Sequence, residues 1–296
     1  MRKPSRLRSA LPLALSAMAF AAPVASHTAG PEIPRVARVA ARAGFGAAVA
    51  VGDGEVFVGE ARNQLRPGLV YVYRRGSGGW REAAQLKAPE ATYADGFGSG
   101  LAVDGRTLAV GAVTQGAIFM FQKESNGTWR HVAKLTSGDT VRNTGFGGAL
   151  ALKGDVLLAG ASNSSGGTGV VHVFRRNASG EWARVSTLSA PDAAERDLFG
   201  GAISFDGTRA VIGAPGRGNA SGAVFVFALQ NETWTPAATL TQPRPGGRRG
   251  GAAGQQQPPQ LPQAAFGMSV HLDGESLYVG APAYDNGTRR RRIASR

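Results

Sequence analysis

The pair Phe-Gly recurs five times in this chain, at Phe45-Gly46, Phe97-Gly98, Phe146-Gly147, Phe199-Gly200 and Phe266-Gly267, spaced by 52, 49, 53 and 67 residues. A period of this size implies one structural unit repeated along the chain, each copy burying its apolar faces on its neighbours. The residues between the pairs keep the same phase. Counting each Phe as zero, apolar side chains stand at plus four and plus six, as in Val49 and Val51, Leu101 and Val103, or Ile203 and Phe205. They return at plus eleven and plus thirteen, as in Leu108 and Val110, and Gly follows at plus fourteen in all copies: Gly59, Gly111, Gly160, Gly213 and Gly280.

Alternation with period two marks strands with one buried face, and the polar turn between the two runs marks a hairpin. Asp104-Gly105, Asp206-Gly207 and Asp273-Gly274 suit tight turns that need positive φ. A third strand is expected at Val70 to Tyr73, Ile118 to Phe121, Val171 to Phe174 and Val224 to Phe227. A single Trp follows in each of these copies, Trp80, Trp129, Trp182 and Trp234, and a Leu six residues later marks a fourth strand near the outer edge. The unit is a four-stranded sheet of about fifty residues, the size of a propeller blade. The expected fold is therefore all-β, a β-propeller of four complete blades and a partial fifth, spanning residues 31–288.

The fifth copy has no Trp, and a basic tail, 289–296, occupies the place of its third strand. Ile33 and Val39 resemble the missing Trp and Leu positions, so residues 33–39 are a candidate outer strand that closes the last blade. A longer propeller of which this is one part is the alternative, and the repeat pattern permits both. Residues 243–263, rich in Pro, Gly, Gln and Arg, are expected to form a disordered insert between the fourth and fifth copies. Residues 1–26 carry a basic start at Arg2, Lys3, Arg6 and Arg8, an apolar run from Ala10 to Ala22 and small residues up to Ser26. That is the pattern of a cleaved signal peptide, with an apolar run shorter than a bilayer span.

Phe-Gly, a hairpin and then Gly-Ala-Pro, as in Gly213-Ala214-Pro215 and Gly280-Ala281-Pro282, resembles the FG-GAP repeat and is similar to the repeats of the integrin α-subunit propeller. The resemblance implies an extracellular binding module whose blade loops present a surface to a protein or glycan ligand. It implies, as alternatives, the accessory propeller of a larger secreted hydrolase or a structural component of a cell wall or matrix. The chain departs from the integrin pattern at the first hairpin. Calcium needs six to eight oxygens, and the short turn Val103-Asp104-Gly105-Arg106-Thr107 offers one carboxylate beside a cation. No metal and no cofactor are expected.

The formal charge of +13 does not mark a nucleic-acid surface, because residues 44–242 hold 18 Lys and Arg against 16 Asp and Glu. Neither nucleic acid nor, for the mature chain, a membrane is expected as a partner. Cysteine is absent, which excludes disulfides and thiolate chemistry. His27, His131, His172 and His271 are scattered, with His172 in a slot held by Tyr71, Phe119 and Phe225 in other copies. No placed base stands beside a nucleophile, so the sequence is expected to be non-catalytic. Six of the eight Asn residues, Asn126, Asn163, Asn177, Asn219, Asn231 and Asn286, begin Asn-x-Ser/Thr in expected loops, the acceptor pattern for N-glycosylation. With the export signal, they point to a secreted, extracellular glycoprotein.

Overall fold

The computed structural model describes residues 44–61, 66–139, 143–242 and 264–282 and the backbone of 291–294, all within the compact unit Pro34–Arg296. The expected signal peptide, the closing strand at 33–39, the insert at 243–263 and Asn286 lie outside these residues.

The fold is all-β and built of antiparallel sheets whose strands follow one another in chain order. The first sheet holds β1 (Phe45–Gly52), β2 (Glu55–Glu60), β3 (Leu69–Gly76) and β4 (Gly79–Leu86). The second holds β5 (Phe97–Asp104), β6 (Thr107–Ala112), β7 (Ala117–Lys123) and β8 (Trp129–Thr136). The third holds β9 (Leu150–Lys153), β10 (Val156–Ala161), β11 (Val170–Arg176) and β12 (Trp182–Leu188). The fourth holds β13 (Ala202–Phe205), β14 (Arg209–Ala214), β15 (Ala223–Gln230) and β16 (Thr233–Thr241). The fifth holds β17 (Ser269–Asp273), β18 (Ser276–Gly280) and β19 (Arg291–Ala294). β19 falls in the stretch expected as a tail beyond the last repeat. It pairs with β18 from Ser276↔Ala294 to Val279↔Arg291, giving the fifth blade its third strand.

Within each blade the first strand lies innermost, and β1, β5, β9, β13 and β17 are neighbours in turn. The hairpins close as the turn chemistry requires: Asp104 pairs with Thr107 around Gly105, whose φ is +52°. The third and fourth strands share a bulge at one place in four blades, after Val72, Met120, Val173 and Val226. A bulge leaves one residue of the fourth strand unpaired and turned outward. That accounts for the exposure of Val132 and Val185, which interrupt the expected alternation. Two four-residue helical turns, α1 (Ser164–Gly167) and α2 (Arg217–Ala220), join second to third strands in blades three and four, each kinked by left-handed residues.

Packing between blades explains the repeat. Phe97 is wholly buried and meets the rings of Phe119 and Phe121 edge-on, in a core shared with Phe57, Val70 and Val72 of the first blade. Phe199 meets Phe225 and Phe227 in the same way, and Phe146 meets His172 and Phe174. The glycine at plus fourteen abuts the glycine of the next Phe-Gly pair. A Cβ added at Gly59, Gly111, Gly160 or Gly213 would lie 1.9–2.1 Å from the carbonyl oxygen of Gly98, Gly147, Gly200 or Gly267. No side chain fits there. The first blade has no described sheet before it, and Phe45, Val49 and Val51 are 40%, 57% and 70% exposed where Leu101 and Val103 pack against the blade before them.

The Trp residues sit in the fourth strands as expected. Trp129 is buried rather than peripheral: its Nε1 donates to Glu55 Oε2 of the first blade at 3.0 Å. Glu55, 1% exposed, also receives Arg74 and lies 3.2 Å from Lys123 Nζ, so this carboxylate ties two blades together. Buried charge of this kind requires such pairing.

Candidate functional site

Antiparallel order puts each Phe-Gly pair, the second-to-third-strand loops and the connections between blades on one rim, here the upper. The hairpins within strand pairs form the lower rim. The upper rim between blades one and two is built around Asp95, two residues before Phe97 and 1% exposed. Its Oδ1 accepts N–H groups from Gly68 at 2.8 Å and Phe97 at 3.0 Å, and Oδ2 accepts Thr92 N–H at 3.4 Å. Gln115 N–H donates to the Asp95 carbonyl, and Gln115 Nε2 to the carbonyl of Glu90. The connecting loop is thus clasped from blades one and two, and Ala94 is held at φ +53°. A left-handed alanine costs about 1–2 kcal/mol and persists only where its surroundings enforce it.

Asp197 repeats the arrangement before Phe199: it accepts Ala194 N–H at 3.0 Å and Arg217 Nη1 at 3.0 Å, while Arg217 also binds Asp192. Thr144 holds the same place before Phe146. Counting forward from each Phe overlooked this position; counting two residues back finds it in two blades.

On the clasped loop lie two adjoining recesses. A hollow of about 630 Å³ is lined by Phe45, Ala47, Ala61, Ala94, Ser99, Val113, Thr114 and the glycines 44, 46 and 96. None of these side chains ionises. A groove of about 470 Å³ is lined by Arg66, Pro67, Ala91, Thr92 and Tyr93, a residue that is 76% exposed. A concave surface whose described lining carries hydroxyls, one exposed aromatic residue and a single charge is suited to holding a ligand.

The other residues singled out in the sequence are distributed around the fold. Phe97, Phe146, Phe199 and Phe266 with their glycines form blade junctions away from solvent, and Phe45 lines the hollow. Asn126, Asn177 and Asn231 are exposed on lower-rim hairpins of blades two, three and four, and Asn163 and Asn219 are exposed on the upper rim of blades three and four. His172 is buried, its ring 5.5 Å from that of Phe146, and burial pushes its imidazole below the usual value. Asp139 Oδ2, 3.7 Å from Nε2, pulls the other way without overcoming burial. His271 stacks loosely on Tyr278. No group of three or more His, Cys, Asp or Glu placed to hold a metal occurs among the described residues. Nor is any described helix long and apolar enough to cross a membrane.

Four-stranded antiparallel blades joined through their inner strands define a β-propeller protein. The FG-GAP repeat profile matches residues 80–127, 129–174 and 182–227, and the chain is an FG-GAP repeat protein. A search of curated protein sequences finds no match. Among solved structures, the chain is similar to a putative 6-phosphogluconolactonase of Bacteroides uniformis, with 14% identity, a TM-score of 0.53, and coverage of 83% of this chain and 70% of that one. A functionally unknown protein of Desulfotomaculum acetoxidans gives 11%, 0.51, 80% and 65%. The periplasmic gluconolactonase of Pseudomonas aeruginosa gives 21%, 0.43, 65% and 52%.

These likenesses correct one expectation. A chain without a recognisable nucleophile and base in its repeats was expected to be non-catalytic, yet a propeller with this fold is described as a putative 6-phosphogluconolactonase. The likeness is one of fold. Its lesson is physical: repeats encode blades, while chemistry in a propeller is carried by loops that differ from blade to blade, so the repeat pattern does not exclude catalysis.

Proposed function

We propose that this protein is a secreted glycoprotein that binds an extracellular protein or glycan, in the manner of an adhesion module, through the upper rim of blades one and two. The observation that carries the reading is the loop clasped by Asp95, which presents an exposed Tyr93 beside a hollow with no ionisable side chain among its described lining residues. A preorganised surface spends little of its interaction energy on ordering when a ligand arrives. The export signal in residues 1–26 and the exposed sequon asparagines support an extracellular setting.

Expression of the full chain in a eukaryotic host tests this. The medium should contain a product that begins near Ser26 and loses mass on treatment with an N-glycosidase. Immobilised, it should retain a component of the extracellular fraction, and Thr114→Arg, which puts a long cation into the hollow, should abolish retention. A product kept in the cell with residues 1–26 intact, or retention indifferent to Thr114→Arg, refutes the proposal.

A further inference from the structure

We infer that the rim site over blades one and two takes a neutral carbohydrate, with Tyr93 as the surface on which a sugar ring stacks. The inference deepens the binding reading above and rests on it. A sugar ring has an apolar C–H face and a perimeter of hydroxyl groups, so its receptor needs an accessible aromatic face beside hydrogen-bonding groups, without a field of charge. Tyr93 supplies the first: the residue is 76% exposed, on a loop whose backbone is held by Asp95. Aromatic side chains that are apolar in body and polar at the tip serve such wet, mixed surfaces. Thr92 and Arg66 line the same groove, and Ser99 and Thr114 line the hollow beside it. Among the described lining residues Arg66 is the one charged side chain, too little to compensate a sulfated or phosphorylated ligand.

A second observation bears on the same sector. Exposed sequons cover the lower rim of blades two to four and the upper rim of blades three and four. The upper-rim loops of blades one and two carry no sequon of their own among the described residues.

The test is an array of neutral, sulfated and sialylated oligosaccharides probed with the secreted protein, followed by calorimetric titration of the best neutral binder. Tyr93→Ala should weaken binding at least tenfold, Tyr93→Trp should retain it, and Met268→Ala, also at an exposed site, should leave it unchanged. Selective binding of acidic oligosaccharides, or a neutral glycan bound equally by Tyr93→Ala, overturns the inference. If no oligosaccharide binds while Thr114→Arg still abolishes capture from the extracellular fraction, the carbohydrate assignment fails and the binding reading stands. If Thr114→Arg has no effect either, both fail.

Discussion

Replacing Gly111 by alanine isolates the force that makes the repeat what it is. The added Cβ would stand 1.9 Å from the carbonyl oxygen of Gly147 and 2.8 Å from its carbon, whereas real Cβ atoms stay beyond 3.0 Å. Gly111 lies within β6 and outside the left-handed region, so the penalty is steric, blade against blade within the one chain. Relief requires the second and third sheets to part by about an ångström where Ile118, Phe146 and Leu157 share one core. Overpacking of a close-packed core costs about 1–3 kcal/mol, and a rigid backbone on both sides places this case near the upper figure. For a domain of this size about 3 kcal/mol lowers the melting temperature by roughly 6–12 °C. Gly76→Ala is the control: its Cβ would meet nothing nearer than 3.9 Å, and it should be neutral or slightly stabilising. Urea titration followed by tryptophan fluorescence gives both free energies, with an unchanged slope showing that the same surface unfolds. If Gly111→Ala matches Gly76→Ala within about 0.5 kcal/mol, the glycine contact does not set the blade junction.

Asp95→Ala leaves the N–H groups of Gly68, Thr92 and Phe97 without their acceptor and should cost about 2–3 kcal/mol, with earlier proteolytic cleavage between residues 87 and 96. Asp95→Asn should recover part of the loss, and an alanine variant as stable and as resistant as the parent refutes the clasp. His172 is held neutral by burial, so the unfolded chain takes up its proton more readily than the folded one. Its contribution is intact above the unfolded value of about 6.5 and is lost as pH falls through the lower folded value. His172→Phe, which restores the aromatic of the other blades, should flatten the decline in stability as pH falls below the unfolded value of about 6.5. An unchanged pH profile would show that another group carries it.

The strands were legible because each rests on a local signal. Period-two alternation located the third strands, with Ile118 to Phe121 falling inside β7 (Ala117–Lys123), and Asp-Gly turns fixed the hairpins. The bulge after Met120 was not legible, since nothing in Trp129 to Thr136 marks which residue goes unpaired. β19 was hidden by composition: arginines suggest a solvated tail, but an edge strand tolerates them because its pairing comes from the backbone. The clasping role of Asp95 and Asp197 depends on N–H groups from a different part of the chain or a short loop turned back on itself, which spacing alone does not reveal. The hollow is made by two blades together, and its small side chains carry no chemical signature in the sequence.

The glycine-to-carbonyl contact is the same at four junctions although the chain between successive Phe-Gly pairs ranges from 49 to 67 residues. Blade placement is therefore decoupled from the length of the connection that precedes it. A blade behaves as a transplantable cassette with a standard socket, bounded by one glycine on each side. Duplication, loss or exchange of a whole blade, or a long insertion in an upper-rim connection, leaves the socket intact. Diversity can then accumulate in the rim loops while the junctions stay invariant.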